Sequence, residues 1–419
     1  MHRILLAVIL TFSFSAAGFA LTMEQAVDSA LKNNFEVLAS LHKQESAKYT
    51  AKAAQTPYYP QLDAKYQYLD SSEKAYGPED KLSTFSLTLG YNLFNGFSNL
   101  FDQKAAKSAY IAEKYDTAAV RQDIILSVRK AYINVLSAVD GIRVADNAVE
   151  LLENQLKDIK LSYDVGYVAK NEVLKVEAEL ASSRQGVLSA ESAKKMAVFN
   201  LEKLTGLTIA ADENFDNLPD YAGNLPETDT LKSEMMKDRS EIKYLEELIK
   251  AKQYSINSEK GGYLPSVDLG ATYYSYGDDM SPSDRTYTYD SEKVLSLTVN
   301  MNIFDGLNKY NTTKSLQADK LYMIYTLRNT KENMTLQLKN AVENFHLAKA
   351  SLAAAEKELA SAQENYRITQ SQFKQKVATN TDLMDARVML TRAENTYSTA
   401  RFNIQRAVAD IERITEKNL

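Results

Sequence analysis

Any chemistry in this chain has to rest on carboxylates. The three histidines, His2, His42 and His346, lie far apart, so no multi-histidine metal motif can be read. Cysteine is absent, which excludes disulfides, thiol catalysis, iron–sulfur clusters and a lipid-modified N-terminal cysteine. There is no GxSxG nucleophile motif, no glycine-rich phosphate loop, no HExxH and no dinucleotide fingerprint. The chain therefore reads as a non-enzyme without cofactor or metal, and energy for any transport must come from a partner. Most of its 55 Asp and Glu belong to solvated helix faces. Three stand out by position. Thr379-Asn380-Thr381-Asp382 has the spacing of a capping box, which makes Asp382 a carboxylate opposing the dipole at a helix start. Glu172 stands 210 residues before it. Asp385 lies one turn further on, too deep to be needed as a cap.

The elements that position these acids come from the rest of the composition. The 419 residues are 45% hydrophobic with only 14 Gly and 7 Pro, too apolar for a disordered chain and too poor in turn formers for a loop-rich one. A net charge of −6 without a basic cluster makes a poor nucleic-acid binder. Residues 1–20 carry a short basic start (His2, Arg3), the apolar run 4–12 and small residues ending at Ala20, the pattern of a secretory signal peptide. Nothing after Ala20 has the ~18 consecutive apolar residues of a membrane-spanning helix. If the mature chain enters a membrane, it does so as strands.

The chain is written twice. Leu87-Thr88-Leu89-Gly90-Tyr91-Asn92-Leu93-Phe94-Asn95-Gly96 matches Leu297-Thr298-Val299-Asn300-Met301-Asn302-Ile303-Phe304-Asp305-Gly306 at an offset of 210. The offset persists to Leu204-Thr205 and Ile414-Thr415 and becomes 205 before the strands, where Pro60 meets Pro265 and Glu36 meets Glu241. This gives a first repeat over 21–206, a polar linker over 207–226 and a second repeat over 227–419.

Each repeat has one plan. Residues 97–206 contain no Pro, and 307–419 contain neither Pro nor Gly, which argues for helix. Apolar or small residues at 128, 132, 135, 139, 142, 145, 149, 152, 156, 159 and 163 alternate steps of four and three with one slip, the pattern of a coiled-coil seam. The second window repeats it less cleanly from 338 to 373. Helix pairs are predicted over 97–205 and 307–417, with nearly 70 residues from Gly96 to Tyr163, or about 100 Å at ~1.5 Å per residue. Ahead of each pair, alternation predicts a hairpin, 61–94 and 266–304. Its apolar face carries Leu87, Leu89, Tyr91, Leu269, Tyr273, Leu297, Val299 and Met301. Runs of about 9–11 residues cross a bilayer when tilted, and these eight side chains are the predicted lipid-facing set.

Four strands cannot close a barrel in lipid, because known transmembrane barrels need at least about eight and open edges leave backbone groups unsatisfied. Several chains must therefore pool their strands. The alternative is a soluble periplasmic coiled-coil scaffold or adaptor whose hairpins stay wet.

The whole mature chain resembles the TolC family of outer-membrane efflux ducts. The resemblance rests on Leu21-Thr22-Met23-Glu24-Gln25-Ala26 with Ala30-Leu31-Lys32-Asn33-Asn34, on Tyr59-Pro60-Gln61-Leu62, and on the doubled Asn92-Leu93-Phe94-Asn95-Gly96 and Asn302-Ile303-Phe304-Asp305-Gly306. Tyr163-Asp164-Val165-Gly166-Tyr167-Val168 followed by Asn171-Glu172-Val173-Leu174 completes it. The resemblance implies a mostly α fold with transmembrane β: a homotrimer whose 12-stranded barrel in the outer membrane continues as a 12-helix periplasmic tunnel. It implies a passive exit duct of a tripartite efflux pump or type I secretion system, working with a periplasmic adaptor and an inner-membrane pump or ABC exporter. It also implies that Asp382 and Asp385 ring the closed periplasmic mouth and that Glu172 helps hold it shut. Three copies of each acid would concentrate cations and repel anions. The adaptor-facing tip would be Val165, Gly166, Tyr167 and Val168 with Lys376, Val377 and Ala378. Three residues depart from the family pattern: Lys376 where the second repeat usually has Gly, Ala378 where some members carry a locking Arg, and Phe373 in place of a gate Tyr. The first helix pair is expected to break at Gly166 and resume at Asn171, the second to break between Lys376 and Asn380.

Overall fold

The structure is a computed structural model that describes residues 20–72, 80–219, 221, 223, 225–286 and 288–418. The expected signal peptide falls on 1–19, outside the described residues, apart from its last position Ala20. The element order repeats. In the first half α1 (Met23–Asn33) and α2 (Phe35–Ala53) precede β1 (Gln61–Asp70), β2 (Lys81–Asn95), α3 (Ser98–Asp164) and α4 (Lys170–Thr205). In the second, α5 (Thr228–Asp238) and α6 (Ser240–Gly261) precede β3 (Ser266–Gly277), β4 (Ser291–Asn300), α7 (Asn308–Lys374) and α8 (Asn380–Thr415). The long helices α3 and α7 have 67 residues each, and α4 and α8 have 36 each. Both ends of each pair differ by 210. The missing Pro and Gly leave no break in α7, and Gly141 does not interrupt α3. At each strand-to-helix junction two consecutive residues take positive φ, Gly96 and Phe97, then Gly306 and Leu307. That turn is what the doubled Asn/Asp-Gly signature encodes.

The chain divides into two compact units. One holds the residues up to Val37 with Arg121–Thr228 and Leu338–Leu419. Its core joins Ala26, Ala30 and Val37 to Val128, Tyr132, Val135 and Leu201, with Phe215 and Leu218 packed against them. The 207–226 segment is therefore partly docked. Leu21 N–H donates to Asn214 O at 2.9 Å, and Tyr132 Oη donates to Leu21 O and Asp216 O at 2.7 and 2.8 Å. Further along, Leu152 and Ile159 of α3 pack with Val173, Val176 and Leu180 of α4, and Ala362 of α7 with Leu390 and Ala393 of α8. Leu152, Ile159 and Ala362 are seam residues that the heptad spacing predicts, and α4 and α8 supply their partners.

The other unit, Leu38–Val120 with Asp229–Gln337, holds the sheet. Its order is β1-β2-β3-β4, all antiparallel, so the two hairpins join through β2 and β3 while β1 and β4 are open edges. One expectation fails here. The second hairpin ends at Asn300, not at 304, and Met301 lies beyond β4. The reason is pairing. β2 finds β3 as far as Asn95↔Ser266, but β4 is an edge whose last partner, Ser266, opposes Asn300. No helix among the described residues is long and apolar enough to cross a membrane.

Candidate functional site

Two regions carry the predicted site residues, one in each unit. In the sheet, register decides what shares a face. Tyr91 pairs with Leu269 and Leu269 with Leu297, Leu87 pairs with Tyr273, and Val267 pairs with Val299. Partners in a ladder stand on the same side, so seven of the eight predicted residues share one face. Leu87, Leu89, Tyr91, Tyr273, Leu297 and Val299 are exposed there, and Leu269 is half-buried. Met301 is exposed too but lies outside the ladder. The opposite face is polar, with Thr88 and Thr272 bonded at 3.1 Å and Asn92 Nδ2 donating to Asp268 Oδ1 at 2.6 Å.

The turns between the long helices gather the other residues. α3 ends at Asp164 and Gly166 sits in the left-handed region at φ 80. Gly166 N–H donates to Tyr163 O and Tyr167 N–H to Ser162 O, both at 2.8 Å, the crossed pair of bonds that closes a helix C-terminus. α7 ends the same way. Lys376 takes φ 64, its N–H donates to Phe373 O at 2.9 Å, and Val377 N–H donates to Gln372 O at 2.8 Å. Lys376 Nζ lies 3.1 Å from the centre of the Tyr167 ring, so the two turns touch through a cation on an aromatic face. Val165, Tyr167 and Val377 are well exposed. Val168 and Ala378 are half-buried, and Val168 packs with Phe373 against the α3/α4 cluster.

The three acids take different places. Asp382 closes the capping box: Thr379 Oγ1 accepts from Asp382 N, while Asp382 Oδ2 accepts from Thr379 N at 2.8 Å and from its hydroxyl at 2.7 Å. Those bonds, the hydroxyl's first, hold its carboxyl below the usual range. Asp385 is exposed one turn on and has no hydrogen bond or ion pair among the described residues. Glu172 is engaged. Its Oε1 accepts from Lys175 Nζ at 2.8 Å and its Oε2 from Asn380 Nδ2 at 3.0 Å, and these two bonds, Lys175 first, lower its pKa. Asn380 Oδ1 in turn accepts from Gln155 Nε2 at 2.8 Å, and both of those residues are buried. α4 does not open at Asn171: it starts at Lys170, and its N-cap Ala169 makes no side-chain cap bond.

Sequence reasoning missed Gln155, Lys175 and the link from Asn380 to Glu172. It also missed Arg387, a buried guanidinium whose Nη2 donates to Glu179 at 2.8 Å. The signal was present. Asn380, Leu383, Arg387 and Leu390 step three, four, three, so two polar residues occupy seam positions one heptad apart. Their partners Glu172 and Glu179 are also seven apart.

Comparison with known proteins agrees with the repeated fold. The model of the outer membrane efflux protein family matches residues 26–207 and again 232–415. The outer membrane protein TolC of Escherichia coli is 23% identical over 410 residues, covering 93% of this chain and 81% of that protein. Solved structures of CusC superpose with a TM-score of 0.84 at 14% identity, covering 100% of this chain and 99% of that one. The CmeC outer membrane channel of Campylobacter jejuni superposes with a TM-score of 0.80 at 18% identity, covering 94% and 85%. With both halves of its sequence matched by that family's model, this chain belongs to the outer membrane efflux protein family.

Proposed function

We propose that three copies of this chain form one passive duct, a 12-stranded barrel in the outer membrane continued by a 12-helix tunnel through the periplasm. The chain is an outer-membrane exit duct of the efflux-pump type, in a family of channel proteins. The observation that carries the pooling of strands is the sheet: four strands, two open edges and a single exposed apolar face; the number three follows from the family. Backbone groups on an open edge cost several kcal/mol each in hydrocarbon, so β1 of one protomer is satisfied by β4 of the next. The polar face then lines the pore.

At the periplasmic end the α3–α4 and α7–α8 turns form the tip that meets a periplasmic adaptor. Asp382 and Asp385 line the mouth, and Asn380–Glu172 and Lys376–Tyr167 hold the two helix pairs of one protomer together when it is closed. Energy comes from an inner-membrane pump or ABC exporter reached through the adaptor. The test is assembly and conductance. Detergent-extracted protein should have the mass of a trimer and pass ions in planar bilayers with cation preference. A monomer released from membranes by salt washing would favour the scaffold reading.

A further inference from the structure

The segment that follows β3 is fastened to one face of the sheet, and register shows which. Tyr66 pairs with Phe85 and Phe85 with Ser275; Tyr68 pairs with Ser83 and Ser83 with Gly277. By strand alternation these two rows stand on the same side as Leu87, Leu89 and Tyr273, the apolar side. Three polar side chains there, one from each of three strands, hold three successive backbone carbonyls. Tyr66 Oη donates to Met280 O at 2.5 Å, Ser83 Oγ to Ser281 O at 2.9 Å, and Ser275 Oγ to Pro282 O at 2.6 Å. Ser83 is 0% exposed beneath them, whereas Met280 is 73% exposed. Gly277 permits the fit: a Cβ there would lie 1.8 Å from the Ser281 carbonyl oxygen. The segment also folds on itself, with Asp279 Oδ1 accepting from Ser281 N–H at 2.6 Å.

We infer that residues 278–283 form a strap on the lipid side of the barrel, seated at the headgroup boundary of the outer leaflet with Met280 against lipid, so that this segment does not lid the pore exit. The inference rests on the duct reading. Its level follows from the ladder. The apolar face runs from the Val267/Val299 row to the Phe85/Ser275 row, eight residue steps or about 26 Å of strand at ~3.3 Å each. At a tilt of ~40° that spans about 20 Å, near the ~25 Å apolar band of such barrels. The strap begins where that band ends. Its exposed thioether continues the apolar surface, and its bonded carbonyls need no water. The return limb lies on the other side, where Arg285 sits 5.6 Å from the centre of the Tyr276 ring. Tyr276 belongs to the polar face, since it pairs with Thr84.

The absence of cysteine makes the test direct. Single-cysteine variants Met280→Cys, Leu89→Cys and Thr88→Cys of the full chain are spin-labelled in liposomes and probed with oxygen, which partitions into lipid, and with a water-soluble nickel complex. The Met280 label should resemble Leu89 in oxygen contact, with Thr88 several-fold more open to nickel. A bulky thiol reagent at Met280→Cys should leave conductance within about twofold. A Met280 label as nickel-accessible as Thr88, or one that blocks conductance, overturns the strap. A Leu89 label that fails to meet oxygen overturns the lipid-facing sheet and the duct reading beneath it, a distinguishable result. Adding Gly277→Ala should free the strap and raise nickel contact at Met280 while leaving Leu89 unchanged. Where that variant fails to assemble, Tyr66→Phe with Ser275→Ala removes two anchors without added bulk. No change at Met280 in either background overturns the anchoring.

Discussion

The two turns that close the long helix pairs share one hydrogen-bond pattern at an offset of 210, yet they are built from different residues. Gly166 enters the left-handed region freely, whereas Lys376 does so against its Cβ, at about 1–2 kcal/mol. The lysine's return is its reach, since its ammonium lies on Tyr167 of the other turn, a contact worth about 0.5–1 kcal/mol at an exposed site. The helix starts that follow differ in the opposite sense. Asp382 is consumed by the Thr379 box. Its repeat counterpart Glu172 follows Ala169, which makes no cap bond, and Glu172 turns across to Asn380 instead. One backbone plan thus yields a strain-bearing cation on one repeat and an acid not used as a cap on the other, and each bridges to its sister.

The largest test of the repeat concerns the strands, where counterparts stand at different depths of one apolar face. Leu89 and Val299 are counterparts, one on a central strand and one on an edge. An arginine at the bilayer midplane costs about 2–4 kcal/mol. Leu89 stands in the middle row of the apolar face and Val299 in its end row. Leu89→Arg should therefore reduce the yield of membrane-inserted trimer at least tenfold, and Val299→Arg by clearly less, since the cost falls to about 0–1 kcal/mol near the interface. Both are measured by fractionation and native electrophoresis. Normal assembly of Leu89→Arg would mean that this face of the sheet meets protein rather than lipid.

A second test separates the two cross-repeat bonds one heptad apart. Arg387 is buried and charged and Asn380 is buried and neutral, so removing their partners is unequal. Glu179→Ala strands a buried cation and should cost about 2 kcal/mol, whereas Glu172→Ala should cost about 1 kcal/mol. If closure depends on the latter bond, Glu172→Ala or Asn380→Ala should raise conductance about fivefold. Its pH dependence has a definite sign. Lys175 and Asn380 depress the folded pKa of Glu172, so the bond contributes fully above the unfolded pKa and is lost as pH falls through the lower folded value. The closed state should persist through the range where an ordinary glutamate protonates and open only below it. Opening at ordinary glutamate pH would remove Glu172 from the latch.

How much of this was legible depends on how local each cause is. The lengths of α3 and α7 follow from the missing Pro, joined in α7 by the missing Gly, and three of their four ends from Gly96, Gly166 and Gly306. The capping box at Thr379 follows from four consecutive residues, and the apolar sheet face from alternation. The end of β4 was not legible, because Met301 alternates as well as Val299 and only the missing ladder partner stops the strand. The docking of 207–226 was not legible either, since a Pro-containing polar stretch reads as a linker until Tyr132 is found donating to Leu21 O and Asp216 O. The pairings of Asn380 and Arg387 were not legible for another reason. Polar residues at seam positions look like interruptions until their partners seven apart are lined up.

The third test swaps the turn residues. Lys376→Gly relieves the left-handed strain but loses the contact with Tyr167, so stability should change by no more than about 1 kcal/mol. Gly166→Lys adds strain, with no ring shown to receive the new ammonium, and should lower the midpoint of thermal unfolding. If the two substitutions had equal effects, Lys376 would be a tolerated residue and not a bridging one.

The smallest effect should separate the two acids proposed for the mouth from each other. Asp382 has two roles open to it, helix capping and charge at the opening, and its bonds to Thr379 already account for its position. Asp382→Ala should therefore cost about 1 kcal/mol of helix capping whatever else it does. Asp385 has no such bond and is exposed, so Asp385→Asn should leave unfolding within about 0.5 kcal/mol of the parent. Its charge can act only on ions. A ring of three carboxylates removed from a narrow mouth should lower cation preference in bilayer reversal potentials and weaken block by multivalent cations. Unchanged selectivity in Asp385→Asn would place that residue away from the ion path. A selectivity change in Asp382→Ala alone would make the capped acid the one that ions meet, reversing the assignment of roles along α8.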